Sequence, residues 1–325
     1  MSTKFRFIWS RLSKVKVSFK TVPVAMFYKM PNRNIAVPAT LGFSIFTWLG
    51  FDKKLSAEDE LILTIKHCVL FIQRSEYEKA EQLLHIALRQ AQQMQHELGV
   101  TYIYDVMANL ALEREQLEKA KKLFIAVSQR IMAQGATEDD SRVVHLSVKL
   151  ARISHLQKEY TTAQLGYDWC LQKLNNAFLQ EPSDGIKKLI ALTEDWYARL
   201  FLDCGKEELA LKFMKSALDR MKEIPDVEKE HIVIQLNDIG TVCDKLGKDD
   251  ESISYFQEAI NLGKTLEMDD LGTMYINLGR VYLKKNLLDQ ARKCCGYGWR
   301  LGFTAKKDDI KQEAEACIKQ INSMS

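Results

Sequence analysis

"LNDIGTVCDKLGKDDESISYFQEAI", residues 236–260, contains the residue spacing that decides the fold of this 325-residue chain. Small Gly240 is followed twelve positions later by a second small residue, Ser252. Bulky Phe256 comes four positions after that, and small Ala259 three further on. Two small residues twelve apart let antiparallel helices approach closely, while the bulky residue fills the gap to the next pair. The stretch therefore predicts a helical hairpin that stacks on copies of itself.

The same spacing recurs along the chain from position 68 onward, in a region with sustained helical periodicity. Each copy has two small residues twelve apart, then a larger residue, then another small one. The six sets are Cys68, Ala80, Leu84, Ala87; Ala108, Ala120, Phe124, Val127; Ala151, Ala163, Tyr167, Cys170; Ala198, Ala210, Met214, Ala217; Gly240, Ser252, Phe256, Ala259; and Gly279, Ala291, Cys295, Gly298. Recurrence at one internal spacing predicts an all-α repeat protein.

A second stretch, "YINLGRVYLKKNLLDQARKC" (residues 275–294), combines the pair Leu278 and Gly279 with Tyr282 and Ala291. These features resemble the tetratricopeptide repeat. The resemblance implies a superhelical solenoid of about six helical hairpins. Residues 306–321 are expected to form a polar-faced C-terminal capping helix at the open end of the stack.

The repeats are longer than the usual period of about 34 residues. Successive copies are 40, 43, 47, 42 and 39 residues apart, which predicts longer helices or longer turns between hairpins. Glycine, proline and acidic residues mark the expected turns. These turns are residues 134–140, 180–185 and 223–230.

Three further stretches resemble one family more closely than the general repeat. The most specific is "TYIYDVMANLA", residues 101–111, and it is supported by residues 58–91 and 148–171. They are similar to the mitochondrial tetratricopeptide repeat protein 19 family. The resemblance implies a non-catalytic factor of the mitochondrial inner membrane that binds respiratory complex III. It further implies roles in incorporating the Rieske iron-sulfur subunit and in clearing its fragments.

Two other functions remain open for such a repeat protein. One is an adaptor that presents Rieske fragments to a protease, and the other is a general scaffold for another inner-membrane complex. An enzyme would need catalytic residues, and none stand out in the sequence.

Charge is unevenly distributed. The chain has 46 Lys and Arg against 43 Asp and Glu, but its first 51 residues contain eight of these bases and no acid. The remaining chain is therefore mildly acidic, with 38 bases against 43 acids. Nucleic-acid binding needs a basic face, so no nucleic-acid partner is expected.

Residues 1–33 have the basic, acid-free and amphipathic pattern of a mitochondrial targeting segment. One helical face carries apolar residues, namely Phe5, Ile8, Trp9, Leu12, Val15 and Phe19. A basic amphipathic helix lying on a membrane surface is the alternative.

Residues 34–51 form the one long apolar run, which predicts a short transmembrane or stop-transfer helix before a repeat domain at 52–325. Lys29 and Arg33 precede the run and Asp52 follows it. The positive-inside tendency then leaves the N-terminus in the matrix and the repeats in the intermembrane space.

No catalytic, metal or cofactor motif is evident, and no small-molecule substrate is expected. No histidines have the H-E-x-x-H spacing of a zinc site. "GYGWRLG", residues 296–302, follows no strand and is interpreted as part of a packed helix, with Gly298 explained by close packing. The seven cysteines lack two-residue spacing, and those in repeat positions, including Cys295, are interpreted as small buried apolar residues.

The first helix of each repeat is expected to line the surface that binds a protein partner. Polar residues on the faces of these helices that the repeat spacing leaves off the core are the candidates. They are Tyr102, Asp105, Asn109, Arg152, His155, Asp195, Arg199, Asn237, Asn277 and Arg280. An ordinary solvated face is the alternative for any one of them.

Overall fold

A computed structural model describes residues 56–324, in which thirteen α-helices and no strands occur. The predicted targeting segment (1–33) and apolar helix (34–51) lie outside the described residues. The helices are α1 (Ala57–Gln73), α2 (Tyr77–Gln93), α3 (Glu97–Glu113), α4 (Leu117–Ala133), α5 (Ser141–Leu156), α6 (Tyr160–Gln180), α7 (Asp184–Asp203), α8 (Glu207–Glu223), α9 (Lys229–Lys245), α10 (Asp249–Thr265), α11 (Leu271–Lys284), α12 (Leu288–Thr304) and α13 (Asp308–Met324).

Side-chain caps start several of these helices. Ser56 Oγ accepts from the Asp59 amide at 3.1 Å before α1, and Ser183 Oγ accepts from the Ile186 amide at 3.3 Å before α7. Such caps satisfy amides that the first turn of a helix leaves unpaired. They fix where the first helix of a hairpin begins.

Three-residue turns join the two helices of each hairpin. The middle residue is left-handed: Gly205 has φ 70° in the α7 to α8 turn, and Gly247 has φ 73° in the α9 to α10 turn. Closing bonds accompany this geometry, with the Lys206 amide donating to the Phe201 carbonyl at 2.8 Å. Glycine adopts this conformation without the steric cost that a side chain brings. The turn therefore ends one helix and reverses the chain within a few residues.

The described chain contains two compact units. In the first, up to Gly135, the hairpins α1–α2 and α3–α4 stack through α2 and α3. In the second, from Ala136, four hairpins follow, and α13 packs on α12 and α11. The predicted six hairpins and C-terminal helix are thus confirmed. Turns occur at the three predicted places, over residues 134–140, 181–183 and 224–228, but the second is no longer than the turns inside the hairpins, because α6 and α7 extend into the predicted turn.

All the small and large repeat positions are buried, as the spacing predicts. A Cβ added to Gly240 would lie 2.9 Å from the Phe256 ring, and one added to Gly298 would lie 2.7 Å from Ile276 Cγ1. Contacts this short leave no room for a side chain. The predicted close approach of the paired helices is therefore confirmed.

Between residues 56 and 324, no helix combines the length and apolar character needed to span a membrane.

Candidate functional site

The first unit contains three of the predicted binding residues, all on α3 and all half-buried: Tyr102, Asp105 and Asn109. The Asn109 side-chain amide donates to the Asp105 carbonyl at 2.7 Å. This bond turns the amide towards its own helix.

In the second unit, the predicted residues on α5 pair with α7. Arg152 Nη1 donates to His155 Nδ1 at 2.9 Å, which leaves the proton of the neutral ring on Nε2. That nitrogen lies 2.9 Å from Asp203 Oδ2. Burial lowers the pKa of His155, which favours the neutral ring. The Arg152 guanidinium also lies 5.9 Å from the centre of the Trp196 ring.

Arg199 connects α7 with α9. Its Nε lies 3.0 Å from Asp195 Oδ2, and its Nη2 lies 3.1 Å from Asp238 Oδ2. The three side chains are only 12%, 12% and 9% exposed. Burial raises the pKa of Asp238 to about 6, and the neighbouring Arg199 charge acts in the opposite direction. The guanidinium therefore compensates two carboxyl groups that have little access to water.

Two further contacts extend this chain of polar residues. The Asn277 amide on α11 donates to Asn237 Oδ1 on α9 at 3.2 Å, and Arg280 Nη2 on α11 donates to Glu313 Oε2 on α13 at 3.2 Å. Every neighbouring pair of first helices in the second unit is thus linked by at least one polar contact. We call this set the polar ladder: Arg152, His155, Asp195, Arg199, Asp203, Asn237, Asp238, Asn277, Arg280 and Glu313.

The polar ladder brings together the seven residues predicted for the second unit, although four of them, His155, Asp195, Asn237 and Asn277, are buried. Their side chains mainly satisfy one another. The more accessible members of the ladder are Asp203 and Arg280, whose side chains are 48% and 39% exposed. A partner approaching this face would meet this carboxylate and this guanidinium first, and the guanidinium suits carboxylates and peptide carbonyls.

The sequence reasoning missed three carboxylates of the ladder, Asp203, Asp238 and Glu313. Asp238 directly follows Asn237, a predicted binding residue, and this neighbouring position is the sequence signal that could have indicated Asp238. Asp203 and Glu313 lie near the end of α7 and in α13, where the repeat spacing assigns no polar role.

Reactive chemistry is sparse in the described residues. No group of three or more His, Cys, Asp or Glu side chains there is arranged to hold a metal ion. Burial raises the pKa of Cys68 and Cys170 to about 12, so these thiols stay protonated at neutral pH.

The interpretation of Cys295 as a small buried residue is correct as to its burial, but it did not foresee a disulfide. The Cys295 Sγ is bonded to that of Cys317, because α13 packs against α12 and brings the two Cα atoms to 6.3 Å. The prediction for residues 296–302 is correct, since they lie inside α12.

Comparison with known proteins is consistent with this geometry. The tetratricopeptide repeat family matches residues 236–262 and 272–295. The mitochondrial tetratricopeptide repeat protein 19 homolog of Drosophila melanogaster is 38% identical over 274 residues, or 84% of this chain and 74% of that protein. Mitochondrial tetratricopeptide repeat protein 19 of Homo sapiens is 31% identical over 73% of this chain and 65% of its own length.

Solved structures show the same fold at low sequence identity. A signal-transduction ATPase with a tetratricopeptide repeat sensor, from Pyrococcus horikoshii, aligns with a TM-score of 0.59 and 16% identity over 81% of this chain and 37% of that protein. The apo form of RapI aligns with a TM-score of 0.59 and 12% identity, over 82% of this chain and 86% of RapI. These matches establish a tetratricopeptide-type helical solenoid.

Proposed function

Because the chain belongs to the mitochondrial tetratricopeptide repeat protein 19 family, we propose that it is a non-catalytic protein-binding factor of the mitochondrial inner membrane. The proposed partner is respiratory complex III, including its Rieske iron-sulfur subunit. The proposed role is to support assembly and maintenance of that complex, including incorporation of the Rieske subunit and clearance of its fragments. The family resemblance supports the partner, and the architecture supports binding rather than catalysis.

The polar ladder is the observation that best supports a binding role. It links α13 and the first helices of four hairpins, so these helices hold a row of polar groups in a fixed register. A pre-ordered surface loses less conformational entropy when a partner binds. An extended segment can lie across several repeats and contact the accessible side chains of the ladder, Asp203 and Arg280.

The proposed location follows from the N-terminal sequence. Residues 1–33 would direct the chain to mitochondria, and residues 34–51 would anchor or arrest it in the inner membrane. The repeats would then face the intermembrane space. Protease added to mitoplasts should degrade the repeat domain, and a domain still protected after rupture of the outer membrane would refute this orientation.

Affinity capture tests the partner directly. Tagged chain isolated from mitochondria should retain complex III subunits, whereas stoichiometric capture of a protease would favour the adaptor function. Arg280→Glu should weaken capture, because it reverses a charge at the accessible part of the ladder. Lys212→Glu makes the same charge change at an exposed position on α8 and should leave capture unchanged.

Deletion tests the physiological role. Cells without the chain should have lower complex III activity and accumulated Rieske fragments. Unchanged activity with normal subunit levels would count against the proposed function.

A further inference from the structure

The sixth repeat differs from the others at its central packing position. The larger residue is Leu84, Phe124, Tyr167, Met214 or Phe256 in the first five repeats, and it is Cys295 in the sixth. Gly279 stands opposite Cys295, and a Cβ there would lie 2.6 Å from Cys295 Sγ. The space between Gly279 and Cys295 is therefore filled by a sulfur atom. The larger side chain that occupies the equivalent position in the other repeats is absent.

Helix α13 follows the pattern of the first helix of a seventh repeat. Cys317 lies 38 residues after Gly279, which continues the series of small first-helix residues. The buried residues of α13 are Ile310, Ala314, Cys317 and Ile321. The same spacing places Leu61, Ile65, Cys68 and Ile72 on α1. In the described residues α13 has no second helix of its own, so its packing comes from α11 and α12.

The sulfur atoms of Cys295 and Cys317 occupy the gap between these helices. Both residues are almost fully buried, and they lie in an apolar cluster with Leu283, Ala291 and Ile321. The neighbouring Cys294 is also buried but remains a free thiol. The bond is therefore specific to one of two adjacent cysteines.

We propose that Cys295 and Cys317 form a thiol–disulfide exchange site that fastens α13 to the last complete hairpin and responds to small-molecule disulfides such as glutathione disulfide. The bond takes the place of the bulky residue of the other repeats. In the reduced state two thiols occupy the same space, and no covalent bond joins α12 to α13.

The exchange is a balanced two-electron reaction. After α13 opens, the Cys317 thiolate attacks one sulfur of glutathione disulfide, forming a mixed disulfide and releasing one glutathione. The Cys295 thiolate then attacks Cys317 Sγ, which forms the protein disulfide and releases the second glutathione. The two thiol protons pass through solvent to the two released thiolates, so the protein is oxidised and glutathione disulfide is reduced.

Loosening α13 would affect the end of the polar ladder. Glu313 on α13 accepts from Arg280, and Glu315 on the same helix accepts from the Trp299 indole at 2.9 Å. Both contacts depend on α13 staying packed. The state of the disulfide therefore controls whether Arg280 keeps its carboxylate partner, whatever partner the chain binds.

Peptide mapping tests the bond itself in the full chain. Trypsin releases residues 294–300, which contain both Cys294 and Cys295, and residues 312–319, which contain Cys317. The two peptides should be linked in unreduced protein and should be relinked when reduced chain is treated with glutathione disulfide. Cys294→Ser should keep the link and Cys295→Ser should abolish it. Loss of the link in Cys294→Ser, or no link in wild type, would overturn the proposal.

Amide hydrogen exchange tests the fastening. Reductant should speed exchange in residues 308–324 by at least about tenfold in wild type and in Cys204→Ser, while α7 and α8 stay unchanged. Cys295→Leu restores the bulk found in the first repeat, so its α13 should exchange slowly and independently of reductant. A change below about twofold in wild type, or an equal response in Cys295→Leu, would refute the fastening role.

Discussion

Replacement of Arg199 by methionine tests how strongly the polar ladder contributes to the second unit. Met keeps much of the apolar stem of the side chain but removes the guanidinium that contacts Asp195 and Asp238 at 3.0 to 3.1 Å. Both carboxylates would stay buried without their cation. Breaking a buried ion pair in this way costs about 3 to 5 kcal/mol.

The loss of stability in Arg199→Met should depend on pH, and the protonation of Asp238 determines in which direction. Its pKa in the folded chain is already raised to about 6, above the value of about 3.9 in an unfolded chain. The folded state therefore binds more protons in this range, and loss of Arg199 raises the folded pKa further. Stability should rise as pH falls, by about 1.4 kcal/mol per pH unit for one carboxyl group. Between pH 7.5 and 5.5 this group can add at most about 2.7 kcal/mol to the stability of the variant, and in wild type it already adds about 0.8 kcal/mol. Arg199→Met should therefore recover about 1 to 2 kcal/mol relative to wild type.

Urea unfolding followed by circular dichroism at both pH values measures this change. Arg280→Met is the matched control, because it also loses an arginine from the ladder but at a more exposed pair with Glu313. Its cost should stay below about 1 kcal/mol at both pH values. A cost for Arg199→Met that is below about 1 kcal/mol at pH 7.5, or equal at both pH values, would refute the reasoning.

Three further predictions concern packing and surface charge. Gly240→Leu should lower the free energy of unfolding by about 1 to 3 kcal/mol, because its side chain would overlap the Phe256 ring, and a thermal melt checks this. Gly296→Ala, at a helical position with open space, should instead raise it by up to about 1 kcal/mol in the same melt. Lys284→Met should cost about 0.5 to 1 kcal/mol in 50 mM salt by losing contacts with Asp244 and Asp249, and urea unfolding in 1 M salt should show that cost disappear.

The sequence predicted the hairpins well because their packing depends on side-chain size at a fixed spacing. Ala80, Leu84 and Ala87 are buried in α2 as Ser252, Phe256 and Ala259 are in α10, although the two helices share little other sequence. Size and helical periodicity are local properties that one sequence displays. They determine which faces of two helices can meet.

The polar ladder was harder to predict because its contacts between helices join residues 33 to 48 positions apart. The repeat spacing makes Asn277 equivalent to Asp238, because each lies two residues before its repeat glycine, yet Asn277 contacts Asn237. It does not indicate that Arg199 reaches across to Asp238, since that depends on a long side chain turning towards the next repeat. The disulfide was missed for a similar reason, because Cys317 was assigned to a capping helix rather than to a seventh first-helix position.

The two kinds of contact act in different directions along the second unit. Apolar pairs such as Gly240 with Phe256 hold the two helices of one hairpin together. Apolar side chains in such packing can be replaced by others of similar volume. The contacts of the polar ladder instead join one first helix to the next, and directional hydrogen bonds fix their register more strictly than volume does. We infer that the ladder sets the spacing of neighbouring hairpins, while a partner contacts only the accessible residues of the ladder. Variants that probe binding should therefore change Arg280, whereas variants of Arg199 or Asp238 report on the stability of the surface itself.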